Sequence, residues 1–217
     1  MKYKCLILDH DDTVVDSTAS IHYPAFLEAL RIMRPGKTLT LEDYFRDNFH
    51  PGFIEMCKQR FGMTDADLEI EVEIWKDYVS NHVAKAYPGM KEIIERFRKE
   101  GGKICVVSHS YDFNIRRDYE ANGLPMPDMI FGWECPPEQR KPYTYALEQI
   151  EKTYHIKPQE MIMVDDLKPG YDMARSYGVP FVGAGWANEI AEIRGFMEQN
   201  SDYYFTKVSE LEALLFA

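Results

Sequence analysis

Short apolar runs that end in polar residues recur along the chain and predict the strands of a buried sheet. They cover residues 5–8, 103–107, 161–164, 179–183 and 203–205. Apolar residues follow one another within these runs, which is typical of parallel strands buried on both faces. Between the later runs, apolar residues recur at helical spacing over residues 90–99, 143–154, 170–177 and 208–215. Strands that alternate with helices predict an α/β fold with a Rossmann-like parallel sheet.

Residues 17–87 interrupt this alternation, because they carry several helical patterns and no convincing strand pattern. Four helices are predicted in this segment, at residues 25–33, 41–49, 52–61 and 66–83. Thr40 and Thr64 are suited to cap two of them at the N-terminus. We therefore predict a catalytic core of residues 1–16 and 88–217, with a helical cap domain of residues 17–87 inserted after the first strand. Because ligands bind beyond the carboxyl ends of such strands, we expect the cap to act as a lid.

Composition and charge indicate which kinds of binding partner the protein is not expected to have. The chain has 217 residues, of which 45% are hydrophobic, as in an ordinary soluble globular protein. A formal net charge of -11 argues against nucleic acid as a partner, since binding to phosphate backbones needs clustered cations. Four cysteines without a CxxC pair indicate a reduced, cytoplasmic setting. No apolar run approaches the length of a membrane span, so no membrane partner is expected.

The first strand ends in a concentration of negative charge. Asp9, Asp11 and Asp12 lie within four residues, and like charges at the end of a buried strand are costly unless a cation offsets them. Asp165 and Asp166 end another strand. Carboxylate oxygens are preferred ligands of Mg²⁺, so the two strand ends predict a shared metal site. Of the first pair, one carboxylate is suited to nucleophilic attack and the other to proton transfer.

Two further residues supply hydrogen-bond donors. Ser108 follows the strand at 103–107, and Lys141 precedes Pro142. The hydroxyl can orient an anion, and the ammonium can hold it or offset the charge of a nucleophile. Together with the carboxylates these groups predict phosphoryl transfer. Each has a plainer explanation when taken alone: an N-cap for Ser108 and a solvated surface charge for Lys141.

The same residues follow one another in the order of a known set of motifs. The chain resembles the haloacid dehalogenase-like superfamily at all four motifs of that family. The matching residues, in motif order, are Asp9–Ser17, Ser108, Lys141–Pro142, and Val164–Asp166 with Gly170 and Ala174 downstream. The resemblance covers the whole predicted core. The insert, with the return to the core at Pro88–Met90, is similar to the branch that contains phosphoglycolate phosphatase and β-phosphoglucomutase.

This resemblance implies an Mg²⁺-dependent phosphatase that acts on a small phosphorylated metabolite through an aspartyl-phosphate. Asp9 would be the nucleophile. Asp11 would act as acid and then base, and its backbone carbonyl would bind the metal. Asp165 and Asp166 would hold the metal together with Asp9.

The resemblance also implies how the phosphoryl group is bound. Ser108 and Lys141 would hold it, and the adjacent His109 is counted with them, although asparagine or glycine is more common there. Thr13 would support the loop around Asp11. Three residues of the insert are candidates for contact with the substrate: His22, Arg46 and His50.

The chain departs from the motif pattern at two positions in the first motif. Asp12 stands where glycine is usual, and it either points to solvent or adjusts the choice of substrate. His10 fills a position that is more often apolar. Two alternatives remain open: a phosphomutase of the same superfamily, and a catalytically silent phosphate-binding or regulatory protein on this scaffold. A dehalogenase would lack the counterpart of Asp11.

Overall fold

The computed structural model describes residues 2–217, and contacts divide the chain into two compact units. The core unit comprises Met1–Asp16 and Lys85–Ala217, and the helical unit comprises Ser17–Ala84. The sequence analysis extended the insert to residue 87, slightly beyond this division.

The core unit is built on parallel strands. The described strands are β1 (Cys5–Leu8), β2 (Val15–Asp16), β3 (Lys85–Ala86), β4 (Lys103–Val107), β5 (Met129–Phe131), β6 (Met161–Asp165), β7 (Phe181–Ala184) and β8 (Tyr203–Phe205). Six of them form one sheet in the order β5-β4-β1-β6-β7-β8, with every neighbouring pair parallel. β2 and β3 form a separate antiparallel ribbon. The predicted α/β class with a Rossmann-like parallel sheet is confirmed.

The register of the central strands places their carboxyl ends side by side. Leu8, the last residue of β1, lies opposite Val106 of β4 and Val164 of β6. All four residues of β1 are fully buried, as expected for a central strand covered on both faces. Asp9 and Asp165 therefore lie next to each other at the carboxyl ends of the two central strands, as the sequence analysis expected.

The helical unit contains a π-helical turn at Thr18–His22 and four helices. These are α1 (Tyr23–Met33), α2 (Leu41–Phe49), α3 (Phe53–Phe61) and α4 (Asp65–Ser80). Both predicted N-caps are confirmed, because the Oγ1 atoms of Thr40 and Thr64 accept hydrogen bonds from the backbone three residues later, at 3.1 and 3.2 Å. Phe26 is fully buried in the apolar core of this unit and packs edge-on against Phe53 and Phe61.

The described residues of the core unit form six α-helices. They are α5 (Met90–Lys99), α6 (Asp112–Ala121), α7 (Tyr145–Tyr154), α8 (Lys168–Tyr177), α9 (Ala191–Asn200) and α10 (Val208–Phe216). The sequence analysis did not predict the short strands β2, β3 and β5, nor α9 or the extent of α6. The prediction that no strand lies within 17–87 is therefore wrong at β3. Over residues 2–217, helices that combine the length and the apolar character needed to cross a bilayer are absent.

Candidate active site

Three buried carboxylates meet where β1 and β6 end. Oxygen atoms of Asp9, Asp165 and Asp166 all lie within 4.8 Å of one another. The backbone fixes two of them, because Asp9 N donates to Val164 O at 2.9 Å and Leu167 N donates to Asp165 Oδ1 at 2.8 Å. The three residues are at most 4% exposed. The strand ends thus bring together three of the four predicted metal ligands.

Lys141 supplies the positive charge of this cluster. Its Nζ atom donates to Asp9 Oδ1 and to Asp165 Oδ2, at 2.7 Å in each case. The Lys141 side chain is only 2% exposed, so the explanation as a solvated surface lysine is wrong. Burial lowers the pKa of Lys141, but the charges of Asp165 and Asp9 outweigh that effect and the pKa is raised. Lys141 is therefore a permanently charged partner of Asp9.

The cluster has an excess of negative charge. Three carboxylates face one ammonium group. Burial, together with the negative charge of Asp9, raises the pKa values of Asp165 and Asp166. A divalent cation would offset this excess, and an all-oxygen set of carboxylates suits Mg²⁺. The residues present therefore fit a metal of this class.

The second predicted group lies at the end of β4. Ser108 is buried, and its Oγ atom accepts a hydrogen bond from Ser110 N at 3.1 Å. The alternative that Ser108 caps α6 is wrong, because Tyr111 is the N-cap residue of that helix. The Ser108 hydroxyl keeps its own proton to donate.

His109 contacts the backbone of Lys141. Its Nε2 atom lies 3.0 Å from the carbonyl oxygen of Lys141, which can only accept, so Nε2 carries the proton. Burial and the nearby Lys141 charge lower the pKa of His109 to about 3. The ring is therefore neutral, and Nδ1 has no proton to donate to a phosphate. The backbone N–H of His109 remains as a donor for the predicted phosphate contact.

The loop after β1 folds tightly around Asp11 and Asp12. Asp12 N donates to Val15 O at 2.7 Å, and Asp11 forms an isolated bridge with Val15. Asp11 does not belong to the carboxylate group formed by the strand ends. Thr13 Oγ1 lies 3.5 Å from Asp166 Oδ1, which links the loop to the metal-binding candidates.

Asp12 is buried, so the alternative that it points to solvent is wrong. It is 2% exposed and has a φ angle of 57°, in the left-handed region that glycine adopts without strain. Its negative charge contributes to the raised pKa of Asp166.

Sequence reasoning missed Tyr87, and it missed the partner of His10. Burial raises the pKa of Tyr87, and the charges of Asp12, Asp16 and Asp166 add to this effect, which places Tyr87 beside the first motif. His10 is fully buried and contacts Asp118 of α6. No local pattern pairs His10 with a residue that follows it by 108 positions in the chain.

The three candidates for substrate contact belong to the helical unit. Trp75 Nε1 donates to His22 Nδ1 at 3.1 Å. Arg46 forms ion pairs with Glu42 and Asp43 on its own helix. His50 is exposed and directly follows α2. Their predicted contact with a substrate stays a prediction.

The parallel sheet, with a buried carboxylate cluster at the carboxyl ends of its central strands, defines an enzyme of the Rossmann-like α/β class. Residues 6–184 match the family model described as haloacid dehalogenase-like hydrolase, and the chain belongs to that family. The family predicted from the motifs is therefore confirmed.

Individual relatives agree with this assignment. A phosphoglycolate phosphatase of Mesorhizobium japonicum is 22% identical over 206 residues, which cover 90% of this chain and 88% of the relative. A structure described as a predicted phosphoglycolate phosphatase from Haemophilus somnus superposes with a TM-score of 0.77 at 17% identity, covering 99% of both chains. CbbY from Rhodobacter sphaeroides, in complex with xylulose-(1,5)bisphosphate, gives a TM-score of 0.74 at 16% identity and 96% coverage of both chains. The name of the first relative agrees with the predicted phosphatase class, and the two structures show the same fold.

Proposed function

We propose that this protein is an Mg²⁺-dependent phosphatase that hydrolyses a small phosphorylated metabolite through an aspartyl-phosphate. One observation carries the proposal: Asp9 is buried, is held at 2.7 Å by Lys141, and shares a cluster with Asp165 and Asp166. A nucleophile in phosphoryl transfer needs neighbouring positive charge, because it must approach a phosphate that is itself negative.

The proposed reaction has two steps, in which Asp9 is the nucleophile and Asp11 transfers protons. A carboxylate oxygen of Asp9 forms a bond to phosphorus, and the bond between phosphorus and the leaving oxygen breaks. Asp11 gives its proton to the leaving oxygen, which departs as the hydroxyl of the dephosphorylated metabolite. Asp11 then takes a proton from a water molecule, whose oxygen bonds to phosphorus while the bond between phosphorus and Asp9 breaks. The products are the dephosphorylated metabolite and inorganic phosphate, and Asp9 is regenerated.

Lys141, Ser108 and the backbone N–H of His109 orient the phosphoryl oxygens. Bound Mg²⁺ would supply additional positive charge, with Asp9, Asp165 and Asp166 as side-chain ligands and the Asp11 carbonyl as a further one. The substrate class is taken from the relatives, whose names refer to phosphoglycolate and whose crystallised complex contains a sugar bisphosphate. We further propose that the helical unit is the cap that selects among such substrates, and that the protein acts in the cytoplasm.

A panel of phosphorylated metabolites and an aryl phosphate, assayed with Mg²⁺, tests the proposal. Wild type should release inorganic phosphate, and Asp9→Asn should lower turnover at least about 1,000-fold. The exposed residue Asp77 gives the control, since Asp77→Asn should retain wild-type turnover. A wild-type protein that hydrolyses no member of the panel would contradict the proposal.

The same assay separates the two alternatives. A phosphomutase would convert one phosphate isomer to another without stoichiometric release of phosphate. A silent protein would show neither reaction. If it also failed to bind beryllofluoride with Mg²⁺, that result would argue against any phosphoryl-transfer site.

A further inference from the structure

A buried hydrogen bond joins the first motif to α6. His10 Nε2 is 3.2 Å from Asp118 Oδ2, and the two side chains are 0% and 4% exposed. Arg117 Nε donates to the other oxygen of Asp118 at 2.9 Å. The His10 ring also stacks on Tyr119, with ring centroids 6.0 Å apart. His10 is thus fixed by two adjacent residues of α6.

This contact is a poor source of stability. A buried hydrogen bond between side chains gains little over apolar residues that would fill the same volume. The His10 Nδ1 atom and the Tyr119 hydroxyl are buried without a hydrogen-bond partner among the described residues, which adds a further cost. What a buried polar contact can supply is a single fixed orientation of the residues that it joins.

His10 occupies a position at which a fixed orientation also fixes the backbone of the two neighbouring carboxylates. His10 lies between Asp9 and Asp11 in the chain, and its carbonyl oxygen accepts hydrogen bonds from Val14 N at 2.9 Å and Val15 N at 3.1 Å. A rotation of this one residue would move the peptide groups on both sides of it, and with them both carboxylates. Its side chain therefore controls a backbone segment on which the proposed reaction depends.

Asp118 connects this segment to a second part of the site. It lies on α6, the first helix after Ser108 at the end of β4. The contact between His10 and Asp118 therefore joins the loop after β1 to the helix after β4. These are the two segments that carry the proposed nucleophile and the proposed phosphate donor.

We propose that His10 is a positioning residue for the phosphatase reaction, and that its contact with Asp118 holds Asp9 and Asp11 in fixed geometry relative to Ser108. This inference rests on the proposed function. A displacement of about 1 Å in reacting groups costs on the order of 100-fold in rate. Loss of the contact should therefore lower kcat and leave KM nearly unchanged.

Five proteins test this inference at saturating Mg²⁺: wild type, His10→Leu, Asp118→Leu, the double variant and His10→Gln. Each leucine variant should lose about 100-fold in kcat, with KM changed less than about threefold. The double variant should lose no more than either single variant, because the same link is broken once. His10→Gln keeps a donor that can reach Asp118 and should recover most of kcat.

Thermal unfolding of the same proteins separates positioning from stability. His10→Leu leaves Asp118 Oδ2 without its partner, Asp118→Leu leaves His10 without its partner, and both should unfold at lower temperature. Asp118→Leu also removes the bond from Arg117, so the double variant should recover only the part of the loss that comes from the buried His10 ring. If the double variant regains kcat together with thermal stability, or if the losses in kcat multiply, the inference is wrong. Suppose that wild type turns over substrate, that Asp9→Asn does not, and that His10→Leu is fully active. The inference about His10 is then wrong, and the proposed function stands. A wild type without turnover overturns both the proposed function and the inference.

Discussion

The Nζ atom of Lys141 lies 2.7 Å from the Oδ1 atom of Asp9, and both side chains are almost completely buried. Because Lys141 is also bonded to Asp165, its removal would leave two carboxylates buried without their cation. We expect Lys141→Met to lower the free energy of unfolding by about 3–5 kcal/mol in metal-free buffer. Added Mg²⁺ should restore part of this loss. Urea unfolding with EDTA and with Mg²⁺ measures both effects.

Lys168 provides the matched control for Lys141. It pairs with Asp172 at 2.6 Å on the surface of α8, with about a third of each side chain exposed. Lys168→Met should cost less than about 1 kcal/mol, because water already screens an exposed pair. Equal losses in the two variants would show that the buried position of Lys141 has no special importance.

Gly170 lies against the metal-binding candidates. A Cβ atom at this position would lie 2.1 Å from Oδ2 of Asp165 and 2.3 Å from its Cγ. Gly170→Ala should therefore displace Asp165, destabilise the protein by about 1–3 kcal/mol and weaken the stabilisation that Mg²⁺ provides. Thermal unfolding over a range of Mg²⁺ concentrations measures the change.

Gly195 of α9 is the corresponding control, since a Cβ atom there would meet nothing within 4 Å. Gly195→Ala should stabilise the protein by about 0.5–1 kcal/mol, because alanine loses less backbone entropy in a helix. Its response to Mg²⁺ should match that of wild type. An unchanged Mg²⁺ response in Gly170→Ala would contradict the predicted displacement of Asp165.

Asp12 combines a left-handed backbone conformation with a buried negative charge near Asp166. Asp12→Gly should relieve about 1 kcal/mol of backbone strain and remove one repulsive charge. We therefore expect higher stability in metal-free buffer and weaker Mg²⁺ binding. Asp12→Asn removes the charge and keeps the side-chain shape, so it should share the weaker binding. Calorimetric titration with Mg²⁺ gives the affinities, and wild-type affinity in both variants would contradict this prediction.

Glu71 makes the stability of the helical unit depend on pH. It is 2% exposed, and its Oε1 atom has no hydrogen-bond partner among the described residues. Burial raises its pKa from the ordinary value of 4.5 to about 7, although the His22 charge opposes the shift. Between these values the folded state binds more protons than the unfolded state, so stability falls as pH rises through this range.

Glu71→Gln isolates this effect from the other buried carboxyl groups. Relative to wild type, the variant should gain stability between pH 5 and pH 8, up to about 3 kcal/mol at the upper end. Urea unfolding of both proteins at several pH values measures the difference. A difference that stays constant with pH would show that Glu71 titrates normally.

The central sheet was readable from the sequence because its strands are continuous apolar runs. Every residue of β1 and β6 is buried, as are residues 104–107 of β4, and each strand ends at the polar groups of the site. Parallel strands carry their carboxyl ends to one edge, so the meeting of Asp9 with Asp165 follows from the pattern alone. The N-caps at Thr40 and Thr64 were readable for a similar reason, since a cap is a local interaction.

The parts that the sequence did not reveal depend on contacts between distant residues. α6 was not predicted in full because its buried face includes Asn114 and Asp118, which break the apolar periodicity of a helix. The burial of Asp12 depends on how its loop folds back after β1. The contact between His10 and Asp118 joins elements far apart in the chain, so local sequence patterns cannot predict it.

The ribbon of β2 and β3 has a consequence for how this architecture can vary. Asp16, the last core residue before the insert, pairs with Lys85, the first after it. Paired strands lie about 4.8 Å apart, so residues 17–84 leave and re-enter the core unit at adjacent points, as the loop of a single hairpin does. The closure cost of such a loop grows only slowly with its length. The chain can therefore exchange this segment for another folded insert, or for a tight turn, and keep the hydrogen bonds of its central sheet.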